Sequence, residues 1–183
     1  MFKEIPMLNL NPEGIKISRT FSTDGLVPNS RLPAVIFKQA VIFGNLPEKS
    51  AEIELKALAD SNEWHLDWTD KVYSWTHYHS TAHEALLVFR GEATLKLGGE
   101  NVGSDYQVES GDAVFIPAGL GHQAISYTGD FTVFGLYPKG QKWDLRRPWK
   151  RNFNSSVERI KKVSIPISDP LFGKCGPLMD YWK

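Results

Sequence analysis

The spacing of hydrophobic and polar positions changes along this chain, and each spacing predicts a different kind of element. Residues 34–43 (AVIFKQAVIF) are rich in β-branched and aromatic side chains, which favours a buried strand. From Trp64 onward apolar and polar residues alternate, and strand-like runs recur to about Tyr137. Turn signals separate these runs at Gly91, Gly98, Gly99, Gly103, Gly111, Gly119, Gly121 and Gly129. The pattern predicts an antiparallel sandwich or barrel rather than alternating βαβ units.

Two segments show helical spacing instead. In the first, Asn45 and Glu48 resemble a capping box. Four residues then fall on one stripe at helical spacing: Ala51, Leu55, Leu58 and Asn62. In the second segment, Ser155 and Glu158 form a similar pair. The residues that continue and end this second helix are Ile160, Val163 and Pro166. We expect both helices at the periphery of a β fold.

The chain shows no internal repeat and no sharp shift in composition, so we predict one domain over residues 1–183. Residues 1–33 carry several loop signals and predict an irregular arm with one strand near Ile15 to Phe21. Residues 34–137 form the predicted barrel core. Residues 138–183 are expected to hold the second helix and an extended tail with one edge strand.

Composition and charge narrow the class of protein. Apolar residues make up 42% of the 183 residues and charged residues 23%, which excludes a disordered chain. Lys and Arg number 21, as do Asp and Glu, so no net field attracts nucleic acid or an anionic membrane. The single cysteine, Cys175, excludes an intrachain disulfide, and the first residues lack an apolar stretch typical of a leader. We therefore expect a soluble cytoplasmic protein that binds neither nucleic acid nor membrane.

Candidate chemistry is concentrated in the predicted barrel, where four of the five histidines lie between His77 and His122. On a strand, His77 and His79 would project from the same face and could chelate one ion. Glu84, which opens the run EALLVFR, is a third candidate ligand, and His122 at the start of a later strand is the fourth. Imidazole and carboxylate donors suit iron, manganese, nickel, copper or zinc rather than calcium. Four protein ligands leave positions open for substrate, as in a catalytic metal site.

The segments His77-x-His79-x4-Glu84-x6-Gly91 and Gly111-x5-Pro117-x-Gly119-x2-His122 resemble the two signature motifs of the cupin superfamily. The wider context, from RLPAVIF through THYHSTAHE and YPKGQKWDL to DPLFG, is similar to the uncharacterised YjlB-type cupins. The resemblance implies a jelly-roll barrel, a double-stranded β-helix, with four metal ligands. These ligands would be His77, His79, Glu84 and His122. It also implies a homodimer, but no particular reaction.

Two positions depart from the motifs. The second motif usually ends in asparagine four residues after its histidine, and Ser126 stands there instead. His83 precedes Glu84 and could compete with it as a ligand. We favour Glu84, because the six-residue gap to Gly91 is counted from it and because adjacent strand residues face opposite ways. His83 is then expected beside the site, close to the ligands, and His65 is expected to be structural or solvated.

Two further groups of residues admit a functional and a plain interpretation. A run of aromatic residues could line a pocket or fill the barrel, and we favour core packing for most of them. They are Trp64, Trp68, Tyr73, Trp75 and Tyr78. A basic group with Asp144 as its counter-charge could attract an anionic substrate, but a solvated linker is favoured. It comprises Lys139, Lys142, Arg146, Arg147, Lys150 and Arg151. A catalytic role for Cys175 is not expected.

Three kinds of function fit these residues. The first is a metal-dependent enzyme acting on a small molecule, either a dioxygenase or an isomerase or lyase of a sugar or organic acid. In the second of these reactions, His83 or Glu84 would transfer a proton. The other two functions are a binding module for a small metabolite and a structural barrel whose metal joins two sheets.

Overall fold

The computed structural model of this protein describes residues 8–183. The expectation that the chain lacks a leader falls partly on residues 1–7, which lie outside the described residues. The elements, in chain order, are β1 (Asn9–Leu10), β2 (Lys16–Arg19), β3 (Ala34–Phe37), β4 (Val41–Ile42), α1 (Glu48–Ser61), β5 (Trp64–Asp70), β6 (Glu84–Arg90), β7 (Glu92–Leu97), β8 (Ser104–Glu109), β9 (Ala113–Ile116), β10 (His122–Tyr127), β11 (Thr132–Pro138), α2 (Lys150–Ile160) and α3 (Leu178–Tyr181). None of the helices in this range is long and apolar enough to cross a membrane.

The strands form two main sheets. The larger has six strands in the order β2-β3-β9-β6-β11-β5, and the smaller has three in the order β10-β7-β8. Every pairing within them is antiparallel, and β1 and β4 form a separate two-stranded pair. The predicted all-β, jelly-roll fold with peripheral helices is confirmed, and its strands are arranged as two facing sheets rather than one closed sheet.

The central strand β6 is buried on both faces, which explains its nearly unbroken apolar sequence. On the inner face, Leu86 and Val88 pack against residues of the three-stranded sheet such as Leu95. On the outer face, Leu87 and Phe89 pack with helix α1 and the C-terminal tail. Burying a side chain of this size contributes about 1.5–3 kcal/mol. Strand alternation therefore places Glu84, which shares the face of Leu86, between the sheets.

The first helix lies on the outer face as expected, but the predicted capping box is wrong. Helix α1 begins at Glu48 after Pro47, with no side-chain cap. The Leu46 amide donates to the Phe43 carbonyl in a turn, so Asn45 lies before the helix instead of at its N-cap. The buried stripe of helix α1 consists of Ala51, Leu55 and Ala59.

The second helix begins six residues earlier than a helix with Ser155 at its N-cap would begin. Helix α2 spans Lys150–Ile160, and the Ser155 hydroxyl donates within it to the Asn152 carbonyl at 3.0 Å. Its N-terminus follows Trp149 without a side-chain cap, so no sequence signal marked it. Val163 lies beyond its end. In place of the expected edge strand, the tail contains one bridge, Asp169–Gly173, and the short helix α3.

Residues 34–43 form two strands, β3 and β4, rather than one. A turn separates them, in which Gln39 adopts a left-handed conformation with φ of 53°. The Asp112 carboxylate stabilises this turn. It accepts a hydrogen bond from the backbone amide of Gln39 at 2.9 Å and forms an ion pair with Lys38. The polar pair Lys38-Gln39 within an apolar run was the only sequence sign of this break.

Candidate metal centre

Three histidines converge at one end of the space between the two sheets. His122 is the first residue of β10, and its backbone pairs in both directions with His77 at 2.9 and 3.1 Å. His79 lies two residues farther along the same extended segment, and its ring projects to the same side. One ring nitrogen from each of His77, His79 and His122 lies within 4.8 Å of the other two. All three side chains are at most 5% exposed.

Backbone carbonyls fix the orientation of all three imidazole rings. The Nδ1 atoms of His77 and His122 lie 3.1 and 3.0 Å from the carbonyls of Trp75 and Leu120. The Nδ1 of His79 contacts the Asp144 carbonyl. A carbonyl only accepts, so each Nδ1 carries the proton of the neutral ring and each Nε2 presents a lone pair. The three lone pairs face the same small volume, as metal-binding imidazoles do.

Glu84 completes this arrangement from the six-stranded sheet. Its Oε2 lies 3.3 Å from His79 Nε2 and 3.2 Å from His122 Nε2. Its Oε1 accepts a hydrogen bond from the Tyr137 hydroxyl, which in turn accepts one from Trp68 Nε1 at 2.9 Å. We call His77, His79, Glu84 and His122 the His/Glu cluster. The structure thus brings together the four predicted ligands.

The cluster fits a cation. Glu84 Oε2 is completely buried and has no hydrogen-bond donor, since the neutral Nε2 atoms beside it carry no proton. A buried carboxylate oxygen facing only lone pairs is costly unless a positive charge lies between them. Three nitrogen donors and one oxygen donor match the preferences of first-row divalent ions.

The pKa values of His77 and Glu84 favour the protonation states that bind a metal ion. Burial and the two neighbouring imidazoles lower the pKa of His77 to about 2, so it is neutral at physiological pH. Burial alone would raise the pKa of Glu84, but the imidazoles of His79 and His122, whenever either ring is protonated, hold it well below its usual value. For His79, burial lowers the pKa, and the Glu84 charge outweighs this effect and raises it. A proton on His79 therefore competes with a metal cation.

A cavity of about 190 Å³ opens from the His/Glu cluster toward solvent. Its other walls are mostly aromatic and aliphatic: Trp68, Val72, Tyr73, Leu86, Tyr137 and Trp143, with Asp70 and Lys71 as the charged members. A Cβ atom at Gly135 would lie 2.1 Å from the Trp68 ring, so glycine at this position lets the indole lie flat against β11. The Trp143 and Tyr137 rings stack with centroids 5.8 Å apart.

The segment that follows β11 is hydrogen-bonded to the loop that carries His77 and His79 and stabilises it. The Asp144 carboxylate accepts hydrogen bonds from the Ser80 amide and hydroxyl, both at 2.6 Å, and pairs with Arg146 at 2.6 Å. Tyr78 and Arg146 exchange backbone hydrogen bonds. The interpretation of this basic stretch as a solvated linker was therefore wrong for its first half, because its backbone and its one acid hold a ligand loop.

The remaining candidate residues lie elsewhere. His83 points to the opposite side of β6 from Glu84, where its ring lies 4.8 Å from Trp182, so it cannot reach the cavity of the His/Glu cluster. Ser126 lies beyond a register shift in β10, is exposed, and donates to Thr94 at 3.1 Å instead of to the site. Cys175 is exposed. His65 is half-buried on β5.

The aromatic run divides between core and site. Trp64 and Tyr78 are fully buried in the core, so core packing holds for two of the five aromatic residues rather than for most of them. Trp68 and Tyr73 line the cavity, and Trp75 stacks on Tyr73 with centroids 4.5 Å apart. Sequence reasoning missed two further lining residues, Tyr137 and Trp143, whose spacing from the motifs carries no metal-ligand signal.

Replacing Tyr137 with phenylalanine is expected to weaken metal binding about 10- to 100-fold while preserving the fold, because the hydroxyl orients Glu84 from behind. Competition with a chromophoric chelator measures the affinity. Tyr78→Phe is the matched control, since its hydroxyl bonds only to Ser156, at 3.2 Å. Equal affinities in the two variants would show that Tyr137 does not orient the carboxylate.

Comparison with known proteins agrees with this geometry. Residues 69–134 match the Cupin domain family, Cupin_2, and this span contains the whole His/Glu cluster. Over 163 residues the chain is 36% identical to "Uncharacterized protein YjlB" of Bacillus subtilis, covering 88% of this chain and 93% of that protein.

Likeness to solved structures is weak. Oxalate decarboxylase OxdC of Bacillus subtilis, in a deletion mutant, aligns with a TM-score of 0.37 and 15% identity over 69% of this chain. This chain spans 29% of that one. A DUF861 family protein of Thermotoga maritima aligns with a TM-score of 0.31 and 22% identity, covering 55% of this chain and 93% of that one. Neither alignment bears on the reaction. From the Cupin domain match and the extent of its identity to YjlB, we conclude that this chain belongs to the cupin superfamily and, within it, to the YjlB-like proteins.

Proposed function

We propose that this protein is a metal-dependent enzyme, of the dioxygenase kind, that acts on a small ring-containing organic molecule. The observation that carries the proposal is the buried, donorless Oε2 of Glu84, which faces three imidazole lone pairs at the inner end of an aromatic cavity. A site built only to join two sheets needs no such cavity. A catalytic metal site needs one, because substrate must reach the ion.

In this proposal His77, His79, Glu84 and His122 hold a divalent ion such as iron, manganese, nickel, copper or zinc. Bound there, the ion supplies Lewis acidity and, if it is iron or copper, redox chemistry with dioxygen. The protein supplies the rest: carbonyls that fix the imidazole tautomers, the Tyr137 hydroxyl that orients the carboxylate, and apolar walls that exclude water. The carbonyls and the hydroxyl hold the ligands in place, and the exclusion of water strengthens the electrostatic interactions inside the cavity.

The cavity limits the size and character of the substrate. A volume of about 190 Å³ exceeds the roughly 150 Å³ that admits benzene in an apolar protein cavity, so one ring with short substituents fits. The facing surfaces of Trp68, Tyr73 and Trp143 favour a planar body, and an oxygen-bearing edge would point to the His/Glu cluster. Catechol-like compounds and 1,3-diketones have this shape.

Oxygen uptake by the metal-loaded protein tests the proposal. We expect the iron(II)-loaded chain to consume oxygen with at least one compound in a panel of catechols, 1,3-diketones and thiols. Glu84→Gln should abolish the uptake, because it removes the anionic ligand, whereas Glu92→Gln on the exposed side of β7 should not change it. Manganese-, nickel-, copper- and zinc-loaded samples complete the panel.

Three outcomes would overturn the dioxygenase assignment. Product formation at equal rates under argon would indicate an isomerase or lyase, which needs no oxygen. Tight binding of a panel compound without turnover would indicate a binding module. No binding and no turnover with any metal would leave the cavity without a catalytic function.

A further inference from the structure

A second cavity lies on the other side of β6, away from the His/Glu cluster. It has a volume of about 460 Å³ and separates the N-terminal arm from helix α2 and the residues after it. The arm contributes Thr23 and residues 28–32, and α2 contributes Val157 and Ile160. No residue is shared with the first cavity. Nothing in the proposed enzymatic function uses this space.

One wall of the second cavity holds a buried ring nitrogen that no acceptor among residues 8–183 meets with full hydrogen-bond geometry. His83 is 2% exposed, and its Nδ1 accepts the Ala118 amide at 2.9 Å. The proton of the neutral ring must therefore sit on Nε2. No acceptor among residues 8–183 meets Nε2 with full hydrogen-bond geometry. A polar contact with the Ser164 carbonyl partly offsets the lowering of the His83 pKa by burial, but that carbonyl already accepts a hydrogen bond from Gln141 Nε2 at 2.7 Å. Leaving a buried N–H unpaired is costly, which suggests that a ligand atom pairs with it.

The charges around the cavity favour an anion. Its lining includes Arg31 and Lys161 but no aspartate or glutamate. Lys161 is paired with Glu158 at 2.7 Å, whereas Arg31 is exposed at the rim and makes no ion pair within residues 8–183. The aliphatic part of the wall comes from Leu32, Val157, Ile160, Val163 and Ile165, and the uncharged polar part from Thr23, Asn29 and Ser30.

From this combination we propose that the second cavity binds a small organic carboxylate with an apolar body. A carboxylate oxygen accepts the His83 Nε2–H at the inner wall, the aliphatic residues enclose the apolar body, and Arg31 supplies the compensating charge at the rim. The site is separate from the His/Glu cluster, although His83 immediately precedes Glu84, the first residue of β6.

Nuclear magnetic resonance titration of the zinc-loaded full chain tests this assignment. Hexanoate and phenylacetate are the probes, and their primary amides are the uncharged controls. We expect both acids, but not the amides, to shift the amide signals of Ala118 and Val163 and to leave that of Val72 in the first cavity unchanged. Arg31→Gln, a substitution at an exposed position that should preserve the fold, is expected to weaken binding of the acids about fivefold.

A second variant examines the buried donor. His83→Asn removes Nε2–H but keeps an oxygen that can accept the Ala118 amide, and it should weaken binding at least about tenfold. Three results would overturn the proposal: no shifts at millimolar acid, equal binding of the amides, or shifts confined to the first cavity and unchanged by Arg31→Gln. If His83→Asn fails to fold, the Arg31→Gln titration still decides the outcome.

Discussion

Replacing His122 with alanine is expected to lower the affinity of the protein for a divalent first-row ion at least about 100-fold, more than loss of a residue that merely orients a ligand. His122 is central to the His/Glu cluster, with its ring centroid 4.0 Å from that of His77 and its Nε2 3.2 Å from Glu84. Its removal takes away one nitrogen donor and loosens the packing around the carboxylate.

Metal analysis of protein purified without added metal or a histidine tag measures the loss as occupancy, and a chelator competition gives the affinity. His65→Ala is the matched control, because it removes an imidazole outside the cluster and should retain full occupancy. The fold should survive His122→Ala, since residue 122 pairs with residue 77 through backbone groups alone. Equal occupancy in the two variants would contradict the assignment of His122 as a ligand.

Removing the metal is expected to lower the melting temperature by about 8–16 °C without unfolding the protein at 25 °C. Ion at a thousandfold excess over its dissociation constant stabilises the folded state by about 4 kcal/mol, and each kcal/mol shifts the melting temperature of a chain this size by ~2–4 °C. The fold should persist because two extensive apolar cores, one on each face of the six-stranded sheet, pack without any contribution from the His/Glu cluster.

Differential scanning calorimetry of chelator-treated and reloaded protein measures this difference, with far-ultraviolet circular dichroism to follow the sheets. The Glu84→Gln variant serves as the control, because its melting temperature should change little when metal is added. Complete unfolding on chelation would contradict the account and indicate a structural metal that holds the sheets together. An unchanged melting temperature would show that no ion binds strongly.

The convergence of the four candidate ligands could be predicted from the sequence, because it follows from short-range patterns around each residue. Two histidines one residue apart project to one side of any extended segment, and Glu84 opens a strand whose alternation also turns His83 away. The partner strand that carries His122 was marked by its glycine corner: Gly119 has a φ of 93° and its amide donates to the His79 carbonyl at 2.8 Å. Strand alternation and the glycine turn depend on neighbouring residues alone, so they apply in the folded chain as they do in the sequence pattern.

The rest of the site depends on contacts between distant segments, which a spacing pattern does not encode. Tyr137 reaches Glu84 only because β11 pairs with β6, and Trp143 and Asp144 reach the histidine loop only because the chain turns back after β11. The start of helix α2 was missed for a related reason: no side chain caps its N-terminus. The break at Gln39 likewise depends on Asp112, which lies 73 residues away in sequence.

X-ray absorption spectroscopy at the metal edge, on protein purified without added metal, tests the central claim most directly. We expect about one ion per chain, with three imidazole nitrogens and at least one oxygen at roughly 2.0–2.2 Å. Absence of bound metal after reloading, or a coordination shell without imidazole scattering, would contradict it.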